Sequence, residues 1–297
     1  MSGPRVLVLG AGGMAGHMLA HHLQEAGRRD LHTAARTRVF PDTHLVDVTR
    51  TDRLRALLGQ VRPEVVVNAV GMLVQASAAD TAMAILVNSH LPHALVRFGD
   101  EIGFRLIHVS TDCVFSGRRG VCRAGFSRRG HAVRRTKALG EIDRPGHFTI
   151  RTSIIGPELN RAGTGLLHWV LNQHGDVQGY SNVFWSGVTT LELARFIDSI
   201  LDRPLDGLCH LTGADKISKY DLLLLIARIW ERRDLVVHAN GEVRSDKSMV
   251  CTRTDLGWEV PGYERMLLDL RAWMIRHAAL YPHYEPGAGP PPPQSRP

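Results

Sequence analysis

Arg5-Val-Leu-Val-Leu-Gly10-Ala-Gly-Gly13-Met-Ala-Gly16 is the stretch that decides the fold. RVLVLG is a short, nearly continuous apolar run, the pattern of a strand buried on both faces. It runs directly into a Gly-x-x-Gly-x-x-Gly turn, and a helical pattern follows over 17–26, ending at Gly27. Glycines at this spacing permit a tight strand-to-helix turn, let backbone approach a pyrophosphate and let the helix pack on the sheet. The helix N-terminus then offers unpaired N–H groups and the positive end of its dipole. A glycine triplet alone is weak evidence, because such loops also serve as plain turns. Following a strand and opening a helix, Gly10, Gly13, Met14 and Gly16 become candidate dinucleotide-binding residues.

Working outward, strand patterns recur at 31–35, 44–48, 64–68 and 104–110, with helical patterns at 52–60 and 81–102 between them. Strands alternating with helices at this spacing imply βαβ units and a parallel sheet. The expectation is an α/β protein, a doubly wound parallel sheet of the Rossmann type. The second half is less regular: an apolar run at 148–155, helical periodicity at 190–201 and 219–232, and a final amphipathic helix at 263–277. Residues 1–155 read as the nucleotide-binding domain. Residues 156–284 read as a smaller substrate-binding lobe, some of whose segments return to the first domain. Residues 285–297 (EPGAGPPPPQSRP) cannot bury a core and read as a disordered, proline-rich tail.

The 297 residues are 44% apolar and 22% charged, which places the chain among globular proteins with a sizeable core. No apolar run approaches the roughly 18 residues of a membrane span, and no signal-peptide pattern opens the sequence. A cytoplasmic protein is expected. The formal net charge is +7, and the segment 118–135 alone holds seven arginines and no acid, so the rest of the chain is neutral. A charge confined to one short segment is no general footprint for nucleic acid. Only four of the 36 basic residues are lysine (137, 216, 219, 247), a bias attributable to codon usage. The four cysteines lack paired spacing. His17, His21 and His22, without a Cys or Glu partner nearby, read as a solvated helix face, and no metal is assigned.

The choice between NAD and NADP falls at the end of the second strand. An acid there would accept a bond from the ribose 2′-hydroxyl, whereas an arginine can pair with a 2′-phosphate. Thr33-Ala-Ala-Arg36-Thr-Arg38 has two arginines and no acid, which favours NADP(H) over the alternative of solvated surface arginines. Asp47 and Val48 are placed to cover the adenine, and Ala69, Val70 and Gly71 follow the next strand.

The combination of that glycine turn with Asp47-Val48, Asn68-Ala-Val-Gly71, Val87-Asn88, Ser110-Thr-Asp-Cys-Val-Phe-Ser-Gly117, Thr136-Lys-Ala-Leu-Gly-Glu141 and Arg151-Thr-Ser153 resembles the extended short-chain dehydrogenase/reductases. Within them it is most similar to the dTDP-4-dehydrorhamnose reductases, over roughly residues 5–280. STDxVFxG followed about twenty residues later by KALGE is far more specific than the glycine turn. The resemblance implies NADPH-dependent reduction of the 4-keto group of a nucleotide-linked 6-deoxy sugar, with a homodimer as a possible assembly. In that family a Ser or Thr hydroxyl, a Tyr and a Lys share the proton chemistry, the Tyr four residues before the Lys. Here the hydroxyl is Thr111, with Ser110 beside it, and the lysine is Lys137, which also holds the cofactor ribose. The tyrosine position is Val133.

An isopropyl group cannot donate a proton. The stretch around it departs as well, since the basic 118–135 segment stands where family members carry an acidic, polar loop. Three readings stay open: an anion-binding rewrite, decay after catalysis was abandoned, or a locally out-of-frame sequence between intact flanks. On the substrate side, the resemblance places Ile154 where an aromatic often contacts the sugar. Phe184 and Trp185 could stack on a base or sugar, with core packing as the equal alternative. Two functions follow: a sugar-nucleotide ketoreductase, or a catalytically silent NADP-binding regulatory or interaction protein on the same fold.

Overall fold

A computed structural model describes residues 3–117 and 132–284. The basic segment over 118–131 and the proline-rich tail therefore lie outside the described residues.

Seven strands form the main sheet: β1 (Val6–Leu9), β2 (Leu31–Ala35), β3 (His44–Leu45), β4 (Val65–Asn68), β5 (Arg105–Thr111), β6 (Phe148–Thr152) and, after four strands outside it, β11 (Gly207–His210). Those strands are β7 (Ile154–Ile155), β8 (Gly175–Tyr180), β9 (Val183–Trp185) and β10 (Val188–Thr189). The order across the main sheet is β11-β6-β5-β4-β1-β2-β3, and every pairing is parallel. The doubly wound α/β expectation is met. The strand order reverses between β1 and β4, and in such sheets the crevice at that point receives ligands.

The apolar run at 6–9 is continuous because both faces of β1 are covered. Val6 and Val8 pack with Met18, Leu19 and Leu23 of α1 (Met14–Glu25). Leu7 and Leu9 pack on the other face with Leu54 and Leu58 of α2 (Thr51–Val61). A Cβ on Gly16 would sit 2.1 Å from the Gly10 carbonyl oxygen, so only glycine lets α1 start this close to the strand.

The 81–102 stretch, expected as one helix, follows α3 (Val74–Ala79) and divides into α4 (Thr81–Ala84), a π-helical turn at Ile85–His90 and α5 (Leu91–Ile102). The 44–48 strand is confined to His44–Leu45. The 148–155 run splits at Ser153, whose hydroxyl accepts the Trp185 indole N–H at 2.8 Å. Beyond α6 (Ala132–Leu139) and α7 (Leu166–Leu171), helices α8 (Thr190–Ile200), α9 (Lys219–Ile229) and α10 (Tyr263–Arg276) agree with the periodicities read from sequence. A small sheet joins β9 to β12 (Ile217–Ser218) and, beyond β13 (Leu235–Asn240), to β14 (Ser245–Asp246). No helix among the described residues is long and apolar enough to cross a membrane.

His17 corrects the expectation of a solvated helix face, since it is fully buried. His22 pairs with Asp198 at 3.2 Å, and His21 lies against Phe40.

Candidate active site

A cleft of about 910 Å³ lies at the carboxyl ends of β1, β2 and β4. Gly10 and Gly13 form its floor, Arg36, Arg38 and Val48 one flank, and Ala69, Val70 and Gly71 another. Among the described residues no side chain caps α1, so the amides of its first turn keep their donors for a ligand. Arg38 donates to the Pro41 carbonyl, while Arg36 is exposed and makes no ion pair among the described residues. Asp47 lies outside the lining. Its carboxylate accepts from the Thr49 amide at 3.0 Å and hydroxyl at 2.7 Å, and those bonds hold it below the usual carboxylate range. Met14 and Gly16 are also off the lining: Gly16 is buried under the turn, and the Met14 methyl faces Gly165. Leu159 and Asn160, which no motif singled out, complete the wall.

The 68–71 turn is shaped by buried amides. Asn68 Oδ1 accepts the Val70 N–H at 3.1 Å, and its Nδ2 lies 3.2 Å from His108 Nδ1. Asn88, in the π-helical turn, accepts the Met72 N–H at 2.8 Å and donates to the Thr136 hydroxyl at 3.2 Å. Ser89 donates to the Thr136 carbonyl at 2.7 Å. The wider π turn thus aims two consecutive polar side chains at α6. Lys137, only 8% exposed, consequently reaches the 69–71 turn: its Nζ is 3.5 Å from the Val70 carbonyl oxygen. A Cβ on Gly71 would stand 2.4 Å from the same atom. Burial pushes the Lys137 ammonium down to about 8, with Glu141 opposing. Burial, with the Lys137 charge second, keeps His108 neutral. Val133 lies in the first turn of α6, four positions before Lys137.

At the end of β5, Thr111 donates to Asp112 at 3.0 Å and accepts the Cys113 N–H at 3.1 Å. Ser110 points into a different network and donates to Glu141 at 2.7 Å. Glu141 and Arg151 form a buried two-pronged pair, with contacts of 2.6 and 2.8 Å. Arg151 also donates to His210 Nε2 at 2.8 Å, which leaves His210 Nδ1–H to donate to the Val250 carbonyl at 3.0 Å. Burial and the Arg151 charge lower the pKa of His210, consistent with that neutral tautomer. The sequence motifs contained Glu141 and Arg151 but gave no sign that they pair.

On the far side of Thr111, Trp185 is 5% exposed and tilted against Tyr263, so core packing is what it does. Phe184 is half-buried, with Lys216 Nζ 4.3 Å above its ring. Ile154 is half-buried in β7, opposite Val188. Lys216 pairs with Asp246 at 2.6 Å, Lys219 lies 5.3 Å over Trp185, and Lys247 is 3.8 Å from Cys113 Sγ. Burial pushes Lys219 down to about 8, against the opposing pull of Asp112. Lys216, Lys219 and Lys247 therefore stand at Phe184, Trp185 and Cys113, and Lys137 stands at Gly71. Their scarcity in a chain with 32 arginines was a signal the composition carried and the sequence reading set aside.

Residues 4–246 match the family described as "RmlD substrate binding domain". The chain is 30% identical over 237 residues to a dTDP-4-keto-6-deoxy-D-glucose reductase of Streptomyces niveus, covering 76% of this chain and 78% of that one. It is 28% identical over 243 residues to a probable dTDP-4,6-dihydroxy-2-methyloxan-3-one 4-ketoreductase of Streptomyces antibioticus, covering 76% and 77%. In fold it is similar to a dTDP-4-dehydrorhamnose reductase from Bacillus anthracis solved with NADP, with a TM-score of 0.78 at 17% identity over 91% of this chain and 99% of that one. The chain belongs to the RmlD substrate-binding family, among the dTDP-4-dehydrorhamnose reductase-like proteins.

Proposed function

We propose that the chain binds NADP(H) and reduces the 4-keto group of a nucleotide-linked 6-deoxy sugar in the cytoplasm. The observation that carries this reading is the meeting, at one switch point, of a helix N-terminus opened by Gly13, an exposed Arg36 and a buried Lys137. The names of the Streptomyces relatives support the substrate class, and the thiols of Cys209 and Cys251 suit a reducing compartment.

The cleft suits the cofactor: the first-turn amides of α1 would hold the pyrophosphate, Arg36 a 2′-phosphate, and Lys137 the ribose beside the 69–71 turn. When bound, the dihydronicotinamide supplies a hydride. Thr111 would orient the sugar carbonyl oxygen. Lys216, Lys219 and Lys247 would face the substrate diphosphate, giving two anionic groups a cationic rim in a half-buried site. The proton for the developing alkoxide is the missing part. Val133 has none to give, and absence of a positioned acid costs about 10²- to 10⁴-fold in rate.

That residue favours a second reading, a silent NADP-binding regulatory or interaction protein. The test is the loss of reduced-nicotinamide absorbance when the purified chain meets NADPH and a dTDP-4-keto-6-deoxy sugar. Turnover supports the reductase. NADPH binding without turnover, unrelieved by Val133→Tyr, supports the silent protein. Val133→Tyr raising the rate by about 10²- to 10⁴-fold identifies a reductase lacking only its acid.

A further inference from the structure

We propose that Tyr281, His283 and Tyr284 are positioning residues that strap the 156–165 loop against the glycine turn, and so set the mouth of the dinucleotide cleft. The purpose of the strap rests on the cofactor reading above; its geometry does not. Tyr281 and Tyr284 lie beyond the last helix, yet they are only 2% and 4% exposed. The Tyr284 hydroxyl is hydrogen-bonded to His168 Nδ1 at 2.7 Å and accepts the Glu158 N–H at 3.2 Å. His283 Nε2 donates to the Glu158 carbonyl at 3.0 Å. Both backbone polar groups of Glu158 are thus bonded by two consecutive residues 125 and 126 positions away.

Glu158 in turn closes its own loop. Its Oε1 accepts the amides of Thr164 at 2.9 Å and Gly165 at 2.6 Å. Between these ends stand Leu159 and Asn160, which contribute to the cleft wall.

The other half of the strap reaches the glycine turn. His17 Nδ1–H donates to the Gly13 carbonyl at 2.8 Å, because a carbonyl can only accept. Its Nε2 must therefore accept from the Tyr281 hydroxyl, at 2.7 Å. One neutral tautomer satisfies both bonds in a fully buried site. Tyr281 thus bonds the floor of the cleft through His17, and Tyr284 bonds its wall through Glu158.

The test uses the full chain with Tyr284→Phe, Tyr281→Phe and His283→Ala, and with Tyr180→Phe, on the exposed face of β8, as a control. NADP⁺ affinity is measured by calorimetry, and hydrogen exchange of the 156–165 loop is measured with no cofactor present. Tyr284→Phe and His283→Ala should speed exchange in that loop and weaken NADP⁺ binding about 3- to 10-fold, since each loses one hydrogen bond to Glu158, and Tyr284→Phe also loses the bond to His168. Tyr281→Phe should weaken binding by a similar factor, and Tyr180→Phe should change neither readout. Loop exchange and affinity equal to the parent chain in both Tyr284→Phe and His283→Ala overturn the strap. Faster loop exchange in a chain that binds no NADP⁺ upholds the strap and overturns the cofactor reading instead.

Discussion

The two sides of the cleft are built on different principles. The glycine turn achieves its shape within seven residues, Gly10 to Gly16, almost wholly through backbone. The Thr111 side is held by side chains far apart in sequence, with Ser110, Glu141, Arg151, His210 and Val250 linked in one hydrogen-bonded chain. The difference teaches where each side is vulnerable. The first depends on what a glycine permits, and the second on every partner being present.

The largest effect that comparison predicts is on the side-chain-built half. Glu141→Ala leaves the Arg151 guanidinium buried and unpaired, which should cost about 3–5 kcal/mol in urea unfolding. A loss below about 1 kcal/mol would place the pair among ordinary surface contacts. His17 tests a point where the glycine-turn half leans on a distant side chain, that of Tyr281. Burial lowers its pKa from 6.5 to about 4, the Gly13 bond only partly opposing. Between those values the unfolded chain binds the extra proton, so this stability is present above pH 6.5 and is lost as the pH falls towards 4. The change is on the order of 3 kcal/mol, and His17→Gln should flatten that part of the stability profile.

Arg36→Ala probes the backbone-built half with its fold untouched. NADP⁺ affinity should fall roughly 10- to 100-fold, the weight of charge-assisted bonds to a 2′-phosphate, while NAD⁺ affinity stays the same. Equal losses for both cofactors would place the 2′-phosphate elsewhere. The smallest effect crosses the two halves at Lys137. As the pH rises through about 8 its ammonium is lost, and NADP⁺ affinity should drop. Stability should move the other way, because the folded pKa is below the ordinary 10.5 and the folded chain sheds its proton first. Lys219 titrates in the same window, so Lys137→Met is the control that assigns the change in affinity.

Legibility followed the same division. The apolar run before Gly10 identified the first strand and the crevice beside it, because a doubly covered strand has only one composition. The lining residues Gly10, Gly13, Arg36, Val48 and Gly71 were all readable in that way. The π-helical turn at 85–90 was not, since a six-residue change of helical register leaves no periodicity of its own. Asn88 in that turn bonds Met72 and Thr136, partners 16 and 48 positions away. Trp185 and Phe184 are adjacent and chemically alike, and only the position of Ser153 and Tyr263 decides that Trp185 packs inward.

The sequence by itself determined the parallel α/β sheet, the glycine turn, the arginine beside it, and the Val133 that stands four positions before Lys137. These are local facts, carried by runs and spacings of a few residues. Only the tertiary structure decided that His17 is buried, that Glu141 pairs with Arg151, that Lys137 reaches the 69–71 turn, and that Tyr281 and Tyr284 close the chain onto the cleft. Those depend on partners tens to hundreds of residues away, and a buried polar group shows its role only when the atom that satisfies it is in place.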